Sequence, residues 1–417
     1  MPRLLGALRD RDRWLLIYDN AEDPQLLAPL LPGGAGQVLI TSRNPRWGGL
    51  ATTVRVDLFD PGESVSLLVW RVPRLPAPDA ARIADAVDNL PLAVAQAAAY
   101  LHETGLSADA YLRLLDTRAA ELLAEEAPTG YSVSLAASWQ VALDRLADDE
   151  PAALHLLTLC AHLAPEPIPV TLFTAHAQAL PGALAAAADD PLAFARLTRL
   201  LRTRSLARVE TGSLQLHRLV QAILRARSAA EAAEPDLAVA AIRLLRAAVP
   251  PDPWDNLGTW PQWRRLLPHT LTATDAGRSL DDAGDDVAWL LNAAALYVLT
   301  RGEPAASLPL IERAFELRRR VLGEEHPTTL TSANSLALNL RGLGQYEAAR
   351  RLDEDTLTRR RRVLGEEHPH TLTSANNLAA DLWGLGEYEA ARRLDEDTLT
   401  RRRRVLGEEH PHTLTST

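Results

Sequence analysis

The sequence predicts a mainly α chain with an N-terminal α/β part and a C-terminal α-solenoid. Three observations carry this. The heptapeptide Val-Leu-Gly-Glu-Glu-His-Pro recurs at 321–327, 363–369 and 405–411. Two short apolar runs near the N-terminus flank a helix-sized stretch. Leu and Ala dominate while aromatic residues are only 5% of the chain, a balance that favours helix over sheet.

The N-terminal part begins with Trp14-Leu15-Leu16-Ile17-Tyr18, which ends in Asp19-Asn20. Near-continuous apolarity predicts a strand buried on both faces, as in a parallel sheet. A helix-sized stretch from Pro24 to Leu31 follows, then the turn Pro32-Gly33-Gly34. A second strand, Gln37-Val38-Leu39-Ile40, ends in Thr41-Ser42-Arg43-Asn44. Residues 52–58 alternate and read as a third strand. In strand–helix–strand units ligands sit beyond the carboxyl ends of the strands, where Asp19 and Arg43 lie.

The middle of the chain predicts helices at 91–102, 107–125 and about 132–146, then 150–163 and 191–203. Ser205 to Leu216 alternates around Thr211-Gly212, which signals a hairpin. Helices, a hairpin and a further helix suggest a winged helix. Cys160 lies five residues from His155 and two from His162, so neither shares its helical face. A buried small hydrophobe is the expected role of this single cysteine. Trp254, Trp260 and Trp263, with Pro261 and Pro268, look like a packed bridge to the C-terminal array.

The array has a period of 42 (321 to 363 to 405), and residues 347–374 recur unchanged at 389–416. Recurrence of this length means tandem repetition. Pro327 and Pro369 punctuate the first helix of each unit, with Thr328 or Thr329 expected to cap it. Gly344 and Gly386 stand where a helix ends in a left-handed residue. One hairpin cannot bury its own apolar face, so units stack into a solenoid. The Arg runs 359–362 and 401–404 share helices with Asp-Glu-Asp, and mixed charge predicts a solvated face. His-Pro-His at 368–370 and 410–412 reads as a turn, since no further metal ligands stand at useful spacing. The third unit ends at Thr415-Ser416-Thr417, which suggests truncation or an excerpt of a longer repeat protein.

The 42-residue units resemble tetratricopeptide repeats of the kinesin-light-chain type over 286–417. That resemblance implies a protein or peptide partner on the solenoid. The strand ending in Asp19 looks like a Walker B strand, and the strand ending in Arg43 like the sensor strand of NB-ARC-type STAND ATPases. Asn89-Leu90-Pro91-Leu92-Ala93 resembles their Gly-Leu-Pro-Leu-Ala element, and Leu216-His217-Arg218 their Met-His-Asp element. The resemblance implies an incomplete P-loop NTPase sheet (1–75, lacking the P-loop), a helical lid (76–149), a winged helix (150–227), a helical adaptor (228–285) and truncated tetratricopeptide-type repeats (286–417). It implies that Asp19 would hold Mg²⁺, Arg43 would sense the γ-phosphate, Pro91 would pack near the adenine, and His217 would contact the β-phosphate of ADP. ADP or ATP with Mg²⁺ is then the cofactor of complete relatives; for this chain, no cofactor at all stays an open alternative.

The departures are chemical. No Lys occurs among the 44 basic residues, and no Gly-rich turn precedes residue 14. A P-loop needs both. Asn20 stands where relatives carry a second acid, Asn89 replaces a Gly, and Arg218 replaces an acid. ATP hydrolysis by this chain alone is therefore not expected. In the family the P-loop strand lies beside the sensor strand, so its absence either exposes the edge of strand 37–42 or makes 52–58 close the gap. Residues 1–60 are accordingly expected to be the least well specified.

A net charge of −10 gives no attraction to nucleic acid or to an anionic membrane surface. One cysteine and no signal-like apolar segment fit a reducing, cytoplasmic setting. The sequence reads as a STAND-type regulatory or signalling protein with a degenerate ADP/ATP switch and a repeat platform; a homo-oligomer stays open. Two alternatives remain: an ATPase whose P-loop lies in an N-terminal segment beyond these residues, and a winged-helix DNA-binding regulator.

Overall fold

The computed structural model describes all residues except 1, 10, 12, 20, 22, 43, 45–46, 55, 125–133, 205, 232–235, 254–255, 278–282, 411–412 and 414–417. The chain divides into two compact units. One comprises residues 1–161, 165–177 and 181–234; the other comprises 235–417 with the short segments 162–164 and 178–180.

The first unit opens with helix α1 (Pro2–Arg9), strand β1 (Leu15–Tyr18), helix α2 (Pro24–Leu27) and strand β2 (Gln37–Ile40). β1 and β2 pair in parallel, Leu15 opposite Gln37 and Tyr18 opposite Ile40. Among the described residues no third strand joins them: 52–58 holds no strand, and Val54 and Val56 are 82% and 91% exposed. Among the described residues, 52–58 does not close the edge of β2, and the sheet holds β1 and β2 alone. One face is open, since Leu15, Ile17 and Leu39 are 60%, 55% and 52% exposed.

Helices follow: α3 (Pro61–Arg71), α4 (Ala77–Ala86), α5 (Pro91–Thr104), α6 (Ala108–Ala124) and α7 (Leu135–Asp149). A capping box starts α3: Asp60 faces the N3 backbone while the Glu63 carboxylate accepts from the Asp60 N–H at 2.9 Å. α5 is Ala-rich and carries seven buried residues, from Ala93 to Leu101. Its small side chains let α3 pack closely against it. Then come α8 (Pro151–Ala161), β3 (Ile168–Pro169), α9 (Val170–Thr174), α10 (Gly182–Asp189), α11 (Pro191–Thr203), β4 (Arg208–Glu210), β5 (Ser213–Gln215) and α12 (Arg218–Glu231). The predicted hairpin turns at Thr211-Gly212, where Gly212 has φ 80°. β5 is central in the sheet β3-β5-β4. Cys160 is buried and its thiol pKa is raised by burial, as expected of an inert packing residue.

The second unit begins with α13 (Leu237–Ala248) and α14 (Trp260–Ala273), which pack on α15 (Gly284–Thr300). Trp263 stacks on Tyr297 at 5.0 Å and Trp260 meets the same ring edge-on. These two tryptophans form the predicted bridge; Trp254 lies outside the described residues. Three hairpins follow: α15 with α16 (Pro304–Leu322), α17 (Pro327–Gly342) with α18 (Tyr346–Leu364), and α19 (Pro369–Gly384) with α20 (Tyr388–Leu406). Gly302, Gly344 and Gly386 take φ of 79°, 74° and 81° at the hairpin bends. Gly384 serves close approach instead, since a β-carbon there would collide with the Tyr346 ring.

Two sequence expectations change here. The helix caps are His326 and His368, whose rings accept from the Thr328 and His370 N–H groups, not Thr328 or Thr329. Pro at N1 leaves the preceding side chain free to turn back onto the helix end. The Arg runs are not simply a solvated face. Arg360 and Arg402 are buried, as is Arg318 one unit earlier.

Candidate functional site

Two places warrant description, one in each unit. In the first, helix α4 ends at a turn where Asp88 and Asn89 take φ of 52° and 54°. Asp and Asn tolerate this left-handed region better than other residues with a β-carbon. Pro91 then starts α5 at its first position, preceded by Leu90, which offers no side-chain cap. The turn is pinned by Asn89 N–H to the Ala84 carbonyl and by Phe59 N–H to the Asn89 carbonyl, at 2.9 and 3.1 Å.

The Asp88 carboxylate reaches the start of α12. Arg218 grips it in a fork, Nη2 at 2.6 Å from Oδ1 and Nε at 3.0 Å from Oδ2. His217 Nε2 lies 3.5 Å from the same Oδ2, while its Nδ1 accepts from the Leu219 N–H at 3.2 Å. An accepting Nδ1 places the neutral ring's proton on Nε2, facing Asp88. The His217 pKa is lowered, chiefly by burial; Asp88 pulls it up and Arg218 pushes it down further. The Trp139 ring closes one side at 6.2 Å.

The structure thus brings His217 to the turn that leads into Pro91, two of the four sequence-predicted residues. It does not bring Asp19 there. Asp19 is exposed at the carboxyl end of β1, and its described partner is the Thr41 hydroxyl at the end of β2. Arg43 lies outside the described residues. Asp88 and Arg218 were missed as a pair: their separation of 130 residues hides the contact from any local pattern. A phosphate at His217 would have to displace a carboxylate already held by Arg218, and the chain has no Lys to help it. These residues do not fit a nucleotide phosphate as they stand. Among the described residues no group of three or more His, Cys, Asp or Glu could hold a metal ion.

The second place is the hairpin array, where one set of contacts repeats. Arg318 donates to Ser332 Oγ at 3.0 Å, and Ser332 donates to Asn292 Oδ1 at 3.2 Å. One unit on, Arg360 donates to Ser374 Oγ at 3.0 Å and to the His370 carbonyl at 2.7 Å, and Ser374 donates to Asn334 at 2.8 Å. Outside this buried rail runs an ionic one. Arg359 pairs with Glu324 at 2.8 Å and Arg401 with Glu366 at 2.6 Å, while Arg362 and Arg404 pair with Glu325 and Glu367. The repeated Glu-Glu turn and Arg run therefore bind each hairpin to the next. At the third unit Trp383 replaces the Arg341 of the second; it is 63% exposed, with Tyr388 edge-on at 4.8 Å.

This is the architecture of a tetratricopeptide-type solenoid. The tetratricopeptide repeat family matches residues 287–328, 329–370 and 371–412. Over 77% of its length the chain is 28% identical to a nucleotide-binding leucine-rich repeat (NLR)-like protein of Hyaloscypha variabilis. The chain spans 35% of that relative. Among solved structures it is similar to the nearly identical TPR-like repeats of a Podosopora anserina kinesin light chain, at 23% identity and a TM-score of 0.32 over 39% of this chain and 82% of that one. It is also similar to a Signal Transduction ATPase with Numerous Domains (STAND) protein with a tetratricopeptide repeat sensor from Pyrococcus horikoshii. That likeness has 14% identity and a TM-score of 0.27, and covers 99% of this chain and 72% of that one. None of the helices in the described residues is long and apolar enough to cross a membrane.

Proposed function

We propose that this chain is the regulatory and partner-binding part of a STAND- or NLR-type signalling protein. The hairpin array offers the partner surface, and the first unit is a degenerate nucleotide switch whose residues in this chain supply no phosphate cradle. The observation that carries this reading is the run of three matched repeats locked by one repeating set of buried and ionic contacts. Such an array is rigid along its length and presents a continuous surface, which suits protein or peptide recognition. The 77% coverage by an NLR-like protein supports the link between this array and a switch unit. In the first unit the Asp88–Arg218 clamp joins the turn before α5 to the start of α12, as a held, closed arrangement would require. The elements α8 to α12 are read as an internal winged helix, a role that the acidic balance of −10 favours over DNA binding. A cytoplasmic setting fits the single, buried cysteine.

Titration calorimetry of the purified chain with ADP and with ATP, each with Mg²⁺, tests the switch. The expected result is no heat and no thermal stabilisation. Micromolar ADP binding lost in His217→Ala would overturn the reading of a degenerate site and revive an ATPase completed by further sequence.

A further inference from the structure

At the junction of the second and third hairpins two carboxyl groups are buried against each other. Asp353 on α18 and Asp381 on α19 have no measurable exposure, and their side chains lie within hydrogen-bond reach. Asp353 Oδ1 accepts from Asn334 Nδ2 of α17 at 2.6 Å. Asp353 Oδ2 and both Asp381 oxygens are buried and receive no donor. The neighbouring cations make no hydrogen bond to these oxygens, although Arg341 forms a close ion pair with Asp381. Arg341 of α17 stands 3.2 Å from Asp381 Oδ1 but aims its Nη1 N–H at the Asn377 carbonyl, 2.7 Å away. Arg360 of α18 directs its Nη1 and Nη2 donors to His370, Ser374 and Thr331, and its buried Nε donates to none of the three carboxylate oxygens.

Two touching buried carboxylates with three donorless oxygens form a costly arrangement if both are ionised. One proton between them resolves it, giving a donor to one group and an acceptor to the other. We propose that Asp353 and Asp381 share a single proton in the folded array, and that this makes the junction of the second and third hairpins proton-linked. Burial first, and then Asp381, push the Asp353 pKa up to about 8, while Asn334 and Arg341 oppose them. Asp381 is also raised by burial, with Arg341 opposing.

The preceding junction is an internal control. The counterparts one period earlier are Ile311 and Asn339, so no acid pair exists there. The array carries the same Arg-Ser-Asn rail at both junctions but places an ionisable lock at only one.

The sign follows from linkage. The folded junction holds a proton that the opened chain releases above the ordinary carboxyl range, so it weakens as pH rises from about 4 toward 8 and levels off beyond. Hydrogen exchange of the full chain, corrected for intrinsic rates, should show α19 and α20 losing protection by about threefold to tenfold per pH unit between pH 6 and 8. The helices α15 and α16 should not follow. Asp381→Asn supplies an amide donor without needing a proton, and Asp353→Asn does the same from the other side. Both variants should fold and should flatten the pH dependence in α19 and α20. A flat profile in the unmodified chain, or an unchanged slope in both variants, would overturn the proposal.

Discussion

Arg218 shows how one side chain can set the state of its neighbours. It grips Asp88, a residue on the far side of the unit's sequence. His217 is caught between them, lowered by burial and by Arg218 and raised by Asp88. Removing each neighbour should therefore move its titration in opposite directions. Asp88→Asn should lower the His217 pKa further, and Arg218→Ala should raise it, both read by the imidazole proton shifts in NMR. The same lowered value makes the folded state reluctant to take that proton. Its stabilising share is present above the ordinary His range and lost as pH falls through the lowered value. If the two variants moved His217 in the same direction, Asp88 and Arg218 would not be its controlling neighbours. At this scale short local motifs drew the sequence reading to Pro91, which starts α5, and to His217, which faces Asp88 in the turn before it. Sequence reading failed with the second Arg of each four-residue run, Arg360 and Arg402, because four identical residues in a row conceal which one turns inward.

The elements divide by how much of their surroundings the sequence states. The predicted helix at 191–203 is α11 to the residue, because Asp190 caps it through the Leu192 N–H and Pro191 starts it. The array was legible because repetition displays the packing partner along with the element. Strand-like segments carry no such information. Residues 15–18 and 37–40 pair as strands, while the described residues of 52–58 form no strand. Parallel strands are ordinarily covered on both faces, and a two-stranded pair alone is marginal. The β1–β2 pair should accordingly show the lowest amide protection of the described strands and helices, well below that of α15 to α18 in the same exchange experiment. Its uncovered face also predicts an effect on solubility. Leu39→Lys should leave thermal unfolding nearly unchanged while reducing concentration-dependent association, measured by light scattering. A clear loss of stability in that variant would mean that Leu39 is covered in solution.

Over the whole array, stability should behave as a sum of hairpins and junctions, because each hairpin's described lock reaches only its neighbour. The locks are unequal in kind. The ionic rail is partly exposed, so breaking Arg401 from Glu366 should change little and less still at high salt. The buried rail is different. Arg360 has its hydrogen bonds to Ser374 and the His370 carbonyl inside the protein, and burial pulls its pKa down to about 10, so it remains charged at neutral pH. Arg360→Ala removes a donor that these groups cannot replace with water, at a cost of about 2–4 kcal/mol. The loss should be local. α19 and α20 should open first, seen as early tryptic cleavage in the third hairpin and a new low-temperature unfolding step, while α15 to α17 keep their protection. Arg318→Ala, which breaks the same contact one unit earlier, should instead separate the first hairpin from the second. If both substitutions lowered one cooperative transition equally, the array would unfold as a block, and the repeated rail would be a consequence of sequence duplication rather than the element that couples its units.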